Sequence, residues 1–231
     1  MQCRLPRMQT MIKMPSIFSD ATWEQIISAC QSNSVPSTWA VGDSKTMTIN
    51  GTDYQIDIIG KNHDTYTAGG TAPLTFQLHD CYGTSYRMNS SRTNEGGWAD
   101  SEMRNKHLPA ILALMPIEVQ FGIREVNKLT SAGNYSSTIN TTADKLFLLS
   151  EIEIFGSITY SKSGEGSQYG YYASSIYGET VKNQNGAACF WWERSPYKDD
   201  TERFCEVKNN GSAGYVIANE SNMGVAFGFC F

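Results

Sequence analysis

Phe190-Trp191-Trp192-Glu193-Arg194-Ser195-Pro196, Phe204-Cys205-Glu206-Val207 and Val225-Ala226-Phe227-Gly228-Phe229-Cys230-Phe231 are the stretches that decide the fold. Each is short, rich in aromatic or β-branched residues and bounded by turn formers, which is the pattern of buried strands. The first two read as successive strands. Asn209-Asn210-Gly211 turns the chain into a third near residues 213–218, and residues 225–231 read as a central strand. Upstream, Lys45-Thr46-Met47-Thr48-Ile49 and Tyr54-Gln55-Ile56-Asp57-Ile58-Ile59 alternate polar and apolar around Asn50-Gly51, a hairpin signature. Residues 74–78 read as a further strand, and Lys145-Leu146-Phe147-Leu148-Leu149 as a fully buried one. Residues 20–31 read as an amphipathic helix capped by Asp20, with Trp23, Ile26, Ile27 and Cys30 on one face. Residues 100–115 read as a helix capped by Asp100 or Ser101 and kinked at Pro109, followed by a helical turn after Pro116. Helices early and an antiparallel sheet late make the class α+β.

The 231 residues carry 18 basic and 23 acidic side chains, 40% apolar residues, 12 Tyr, 10 Phe and 5 Trp. That is enough apolar material for a packed core, so disorder is excluded. The net charge of −5 argues against a nucleic-acid partner, whose phosphates call for clustered Lys and Arg. No apolar run of about 18 residues occurs, so membrane insertion is not expected, and the first residues lack the apolar core of a secretory signal. Residues 1–18 show no periodicity. Residues 1–38 therefore read as an N-terminal arm and helix, a candidate site of homo-oligomerisation or docking, and residues 39–231 as the main domain.

Catalytic signatures are missing. There is no H-E-x-x-H, G-x-S-x-G or G-x-x-x-x-G-K-[ST] pattern, so no cofactor is expected. His79-Asp80-Cys81 holds three ligand types, but neighbours on a strand point to opposite faces and do not converge on one metal. His63-Asp64 reads as a turn pair. Gly69-Gly70 and Gly164-Glu165-Gly166 lack the strand–loop–helix setting of a phosphate loop. Tyr160, Tyr169, Tyr171, Tyr172 and Tyr177 form either half-buried packing or a stacking platform. The six cysteines read as reduced, buried residues or as including one disulfide, Cys205–Cys230. Six N-x-S/T triplets are coincidences of composition.

In the last 45 residues, rigid anchors frame polar segments, the usual construction of a recognition surface; a solvated sheet face with long turns gives the same texture. The candidate ligand-contacting residues are Glu193, Tyr197, Lys198, Asp199, Asp200, Glu202, Arg203, Glu206, Lys208, Asn210, Tyr215, Ile217, Asn219, Glu220 and Asn222. Tyr197, Tyr215 and Arg203 are the expected anchors, because Tyr and Arg dominate binding hot spots. The face is mixed in sign, which suits a protein or glycan better than a polyanion.

Trp191-Trp192-Glu193-Arg194-Ser195-Pro196, followed by Gly224-Val225-Ala226-Phe227-Gly228-Phe229-Cys230, resembles an uncharacterised domain family of prophages and of tail or surface proteins in gut Firmicutes. Trp39-Ala40-Val41-Gly42-Asp43, Ile59-Gly60-Lys61-Asn62-His63-Asp64, Met88-Asn89-Ser90, Gly97-Trp98-Ala99-Asp100-Ser101-Glu102-Met103-Arg104 and residues 144–151 extend the resemblance over residues 39–231. The Trp-rich strand, Arg-Ser-Pro turn and terminal Gly-Phe strand also resemble C-type-lectin-like folds, which carry the variable proteins of diversity-generating retroelements. The resemblance implies a non-enzymatic recognition module on a phage tail or bacterial surface, made in the cytoplasm and reading a host surface protein or glycan. Its variable positions would fall on the polar segments above. Glu193 stands where the family has an apolar residue, so its charge is expected to reach solvent or to pair with Arg194 or Arg203. Adenine mutagenesis of Asn codons does not yield Glu, Lys or Met, so Glu193, Lys198, Glu202, Glu206, Lys208 and Met223 would need other template codons. Calcium-dependent sugar motifs are missing. Two further readings are a structural tail component and an oxidoreductase similar to formylglycine-generating enzymes, in which Cys205 and Cys230 would form the reactive pair.

Overall fold

The computed structural model describes residues 14–176 and 178–231. The first thirteen residues of the expected arm, Cys3 among them, and Tyr177 lie outside the described residues. In chain order the elements are α1 (Trp23–Gln31), β1 (Ser44–Ile49), β2 (Thr52–Lys61), β3 (Leu74–Leu78), α2 (Gly97–Asp100), α3 (Leu108–Leu112), α4 (Ile117–Gly122), β4 (Val126–Ser131), β5 (Ile139–Asp144), α5 (Glu151–Phe155), α6 (Gly170–Ala173), β6 (Lys182–Gln184), β7 (Ala187–Cys189), β8 (Trp191–Pro196), β9 (Arg203–Val207), β10 (Ala213–Ile217) and β11 (Gly228–Cys230). A 3₁₀ turn at Phe18–Asp20 precedes α1, and a π-helical segment at Met103–His107 leads into α3.

The fold is mixed α+β with antiparallel sheets and short helices. One sheet has the order β1-β2-β3-β11 and the other β10-β9-β8, with β4-β5 and β6-β7 as separate hairpins. The β1–β2 hairpin forms around Asn50-Gly51, both at positive φ, with Ile49 opposite Thr52. Two residues of that type are what a tight hairpin turn requires. The α1 helix begins two residues later than the sequence implied. Thr22, not Asp20, caps it, in a reciprocal capping box with Gln25. The helical stretch 100–115 is broken into α2, the π-helical segment and α3. Gly96 precedes α2, and the Ser101 hydroxyl accepts from the Arg104 amide at the second start.

Two strand expectations change. Leu146, Phe147, Leu148 and Leu149 are buried, but residues 145–149 form no strand; Phe147 makes only a bridge to Gly228. The terminal strand β11 pairs with β3 alone and so stands at the edge of its sheet. Its outer side is covered by the Phe147 and Arg124 bridges instead of a full strand.

The core is aromatic. Phe76 on β3 lies 5.3 Å from Phe229, 5.3 Å from Phe231, 6.0 Å from Phe18 and 6.3 Å from Trp23. Trp39 meets Phe18 edge-on at 5.4 Å. The apolar face of α1 is therefore spent on the same core that serves β3 and β11.

Beside this apolar core lies a polar one. Strand β4 turns Lys128 inward, where its ammonium donates to Asp64 (2.9 Å), Glu153 (2.8 Å) and the Tyr169 hydroxyl (3.0 Å). Arg194 on β8 grips both Glu153 oxygens and donates to Thr130 Oγ1 (2.9 Å) and to the carbonyls of Leu148 and Glu165. Lys128 and Arg194 hold Asp64 and Glu153 below the ordinary carboxylate range despite burial. Asp64 is thus an ion-paired core residue and not half of a turn pair; its neighbour His63 stacks on Tyr169 at 4.0 Å.

Candidate functional site

The β9–β10 ladder places Tyr215 opposite Cys205 and Ile217 opposite Arg203. Residues 197–202 loop out between β8 and β9, and the loop closes through a bond from the Tyr197 amide to the carbonyl of Arg203, the first residue of β9 (3.0 Å). These two constraints bring Tyr197 and Tyr215 into a parallel stack, with centroids 4.0 Å apart and planes 7° apart. Tyr160 meets both edge-on, at 6.1 Å and 5.1 Å. Arg203 lies 5.7 Å from the Tyr215 ring and forms an ion pair with Asp200. Tyr215 is 39% exposed, and Tyr160 and Tyr197 are half-buried. Desolvation, then the neighbouring Tyr215 hydroxyl, hold the Tyr197 phenol above the ordinary tyrosine value, so it stays neutral.

Two buried side chains hold this cluster in place, and neither was among the sequence candidates. The Asn94 amide, fully buried, donates to the carbonyls of Tyr197 (3.3 Å), Asp200 (3.0 Å) and Arg203 (2.9 Å), and its oxygen accepts from the Asn134 amide. The Glu151 carboxylate, also buried, accepts from the backbone amides of Thr159 (3.0 Å), Tyr160 (3.0 Å) and Ser161 (2.7 Å). Lys198 then ties its own loop to that segment: its amide donates to the Tyr160 carbonyl and its ammonium to the Thr159 carbonyl. An aromatic platform on two such braced loops is pre-organised, which lowers the entropy lost on binding.

The other sequence candidates divide. Lys198, Asp199, Asp200 and Glu202 share the loop with Tyr197, and Glu202 pairs with Arg92 at 2.6 Å. Ile217, Asn219, Glu220 and Asn222 follow at the same end, where the Ala218 amide donates to the Glu202 carbonyl. Lys208 and Asn210 sit in the turn at the opposite end of β9–β10 and do not join the cluster. Glu193 and Glu206 are corrections: they are 0% and 5% exposed and are not open contact residues. Glu206 lies on β9, the middle strand of its sheet, which is buried on both faces. At Glu193 the cause is a bulge. Trp192 pairs with Glu206 and Pro196 with Phe204, so three residues of β8 face one of β9 and β8 is buried on both sides. Glu193 also does not pair with Arg194 or Arg203, which are engaged by Glu153 and Asp200. Both of its oxygens lack a hydrogen-bond partner among the described residues. Burial, then the nearby Glu151, Glu165 and Glu206, push its pKa well above the ordinary carboxylate range.

Tyr169, Tyr171 and Tyr172 are buried packing residues; among the described residues of that group, only Tyr160 joins the surface cluster. His79, Asp80 and Cys81 take three different partners: Asp57 (2.6 Å), the Asn183 amide (2.7 Å) and Cys189 (3.4 Å). The Asp57–His79 pair lines a cleft of about 230 Å³ with Ser44, Tyr171 and Glu179. Among the described residues no group of three His, Cys, Asp or Glu side chains is placed to hold a metal, and no helix is long and apolar enough to cross a membrane. Cys205 and Cys230 are both free, buried thiols whose pKa desolvation pushes well above the ordinary thiol range. Their surroundings differ: Cys205 lies near Glu193, whereas Cys230 contacts Thr75 and Asp64.

The geometry defines a mixed α+β domain that displays a braced aromatic cluster on its C-terminal loops. The chain belongs to the DUF6273 family, a domain of unknown function whose model matches residues 75–229. The match begins within β3 and takes in the whole of β8–β10 and their loops. No curated protein and no solved structure matches the chain.

Proposed function

We propose that the chain is a ligand-recognition module on a C-type-lectin-like scaffold, with Tyr160, Tyr197, Tyr215 and Arg203 as the centre of its contact face. The parallel Tyr197–Tyr215 stack, half-open to solvent and fixed by Asn94 and Glu151, carries the reading. Tyr supplies large contact area at low entropic cost, and its hydroxyl serves sugar hydroxyls and peptide groups alike. The mixed charges of Lys198, Asp199, Asp200 and Arg203 around the stack favour a glycan or protein epitope. The resemblance to phage tail and retroelement-diversified proteins supports a ligand on a host cell surface.

Binding of the labelled protein to a glycan array and to intact bacterial cells tests this. Wild-type protein binds, and the triple substitution Tyr197→Ala, Tyr215→Ala, Arg203→Ala abolishes binding while Tm stays nearly unchanged. Binding retained by the triple variant, or no binding by wild type in either format, overturns the proposal.

A further inference from the structure

Cys81 and Cys189 lie 108 positions apart in sequence, yet their sulfurs are 3.4 Å apart. The approach is built by the fold. Cys81 follows β3, where its amide donates to the Asn183 carbonyl on β6 (2.9 Å). Cys189 closes β7, opposite Lys182 in the β6–β7 register. Gly224 supplies the room for both sulfurs: a Cβ at that position would stand 2.6 Å from Cys81 Sγ and 2.9 Å from Cys189 Sγ. We propose that Cys81 and Cys189 form a redox modification site that closes to a disulfide when a peroxide is present.

The two thiols are unequal in the way such a reaction needs. Cys189 is half-exposed and Cys81 is buried. The Cys81 thiol beside it favours the Cys189 thiolate and lowers its pKa, while burial raises that of Cys81. The buried Lys182 ammonium adds positive potential to both sulfurs. Cys189 is therefore the attacking sulfur and Cys81 the resolving one. In the first step the Cys189 thiolate attacks one peroxide oxygen, the O–O bond breaks, and sulfenic acid and hydroxide form. In the second, the Cys81 sulfur attacks the sulfenic sulfur, the S–O bond breaks, and water leaves with the Cys81 proton. Two thiols are oxidised by two electrons, and one hydrogen peroxide becomes two waters. The sulfurs must close by about 1.3 Å to reach bonding distance, a movement that rotation of the half-exposed Cys189 side chain supplies. The bond would tie the β6–β7 hairpin to the segment after β3.

The full chain, treated with hydrogen peroxide and then alkylated under denaturing conditions, tests the site. Before alkylation the intact mass falls by about 2 Da. Free thiols fall from six to four, and digestion yields one cross-linked peptide joining Cys81 to Cys189. Dithiothreitol reverses all three. Tm of the oxidised chain rises by roughly 5–15 °C over the reduced chain, because the bond closes a loop of about 110 residues. Cys189→Ser keeps its five thiols under the same treatment. If that variant does not fold, Gly224→Ala serves instead: it drives the sulfurs apart and slows closure severalfold. A cross-link between other cysteines overturns the assignment. So does Cys189 oxidising to sulfinic or sulfonic acid while Cys81 remains a free thiol.

Discussion

Glu193→Gln removes one proton-binding group from a site where the folded chain holds a neutral acid. The Glu193 carboxyl is fully buried, and its oxygens have no hydrogen-bond partner among the described residues. Glu151, Glu165 and Glu206 oppose ionisation and Arg194 only partly relieves it. In the unfolded chain Glu ionises near pH 4.3. Between that pH and the raised folded value the native state binds one more proton than the unfolded state. Stability from this residue is therefore full at low pH and is lost as pH rises, by about 1.4 kcal/mol per pH unit. From pH 5.5 to 7.5 the loss is about 2.7 kcal/mol while Glu193 stays protonated in the folded chain. Gln is isosteric, neutral and does not titrate. Glu165 and Glu206, both pushed up to about 7 by burial, add slopes of the same sign that remain in both proteins. Urea unfolding at pH 5.5, 6.5 and 7.5 reads the difference. The gain of Glu193→Gln over wild type grows by about 2.7 kcal/mol across the range, or roughly 5–10 °C in Tm. Parallel pH profiles for the two proteins would refute the reasoning, because they would mean an ionised Glu193 with a partner in solution.

Three other substitutions probe separate parts of the molecule. Asn94→Ala strips three loop carbonyls of their donor and lowers stability by about 1–3 kcal/mol; in denaturant titrations that loss appears together with loss of ligand binding, although Asn94 itself is buried. Arg194→Met leaves Glu153 with Lys128 as its one cationic partner among the described residues and lowers stability by about 3–5 kcal/mol, whereas Arg194→Met with Glu153→Leu loses less, because removing both charges leaves no unpaired one buried. His79→Ala lowers stability by under about 1 kcal/mol, since the His79 side chain is 44% exposed. Hydrogen bonding to Asp57 raises the His79 value, and His79 lowers that of Asp57. Stability curves of His79→Ala and wild type therefore converge as pH rises through the folded His79 value, and again as pH falls through that of Asp57.

The parts legible in the sequence are those fixed by near neighbours. Asn50-Gly51 dictates its turn locally, and the Trp23, Ile26, Ile27, Cys30 spacing marks the buried face of α1. Cap choice failed at Asp20 because Thr22 is an equally good cap type and Gln25 completes its box. Strands β4 and β5 were missed because β4 turns Lys128 and Thr130 inward to a polar core, so the usual apolar alternation is missing. The run 145–149 read as a strand because burial and apolarity are visible in sequence, whereas a ladder partner is not. At the site, Tyr197, Tyr215 and Arg203 were found as polar or aromatic residues between anchors. Glu193 was misplaced by the β8 bulge, which a period-of-two reading does not contain, and Glu206 by its place on the middle strand β9, which is buried on both faces. Asn94 and Glu151 were invisible because nothing in composition marks a side chain whose partners are backbone groups, for Asn94 more than 100 residues away.

The pairing of β11 with β3 also has a consequence for synthesis on the ribosome. One edge of β3 is covered by β2 soon after it emerges, but the other waits for a strand about 150 residues later. At translation rates of about 5–20 residues per second, that edge stays open for roughly 8–30 s. A strand that is buried on both faces in the finished fold, with an unsatisfied edge, invites pairing with another nascent chain.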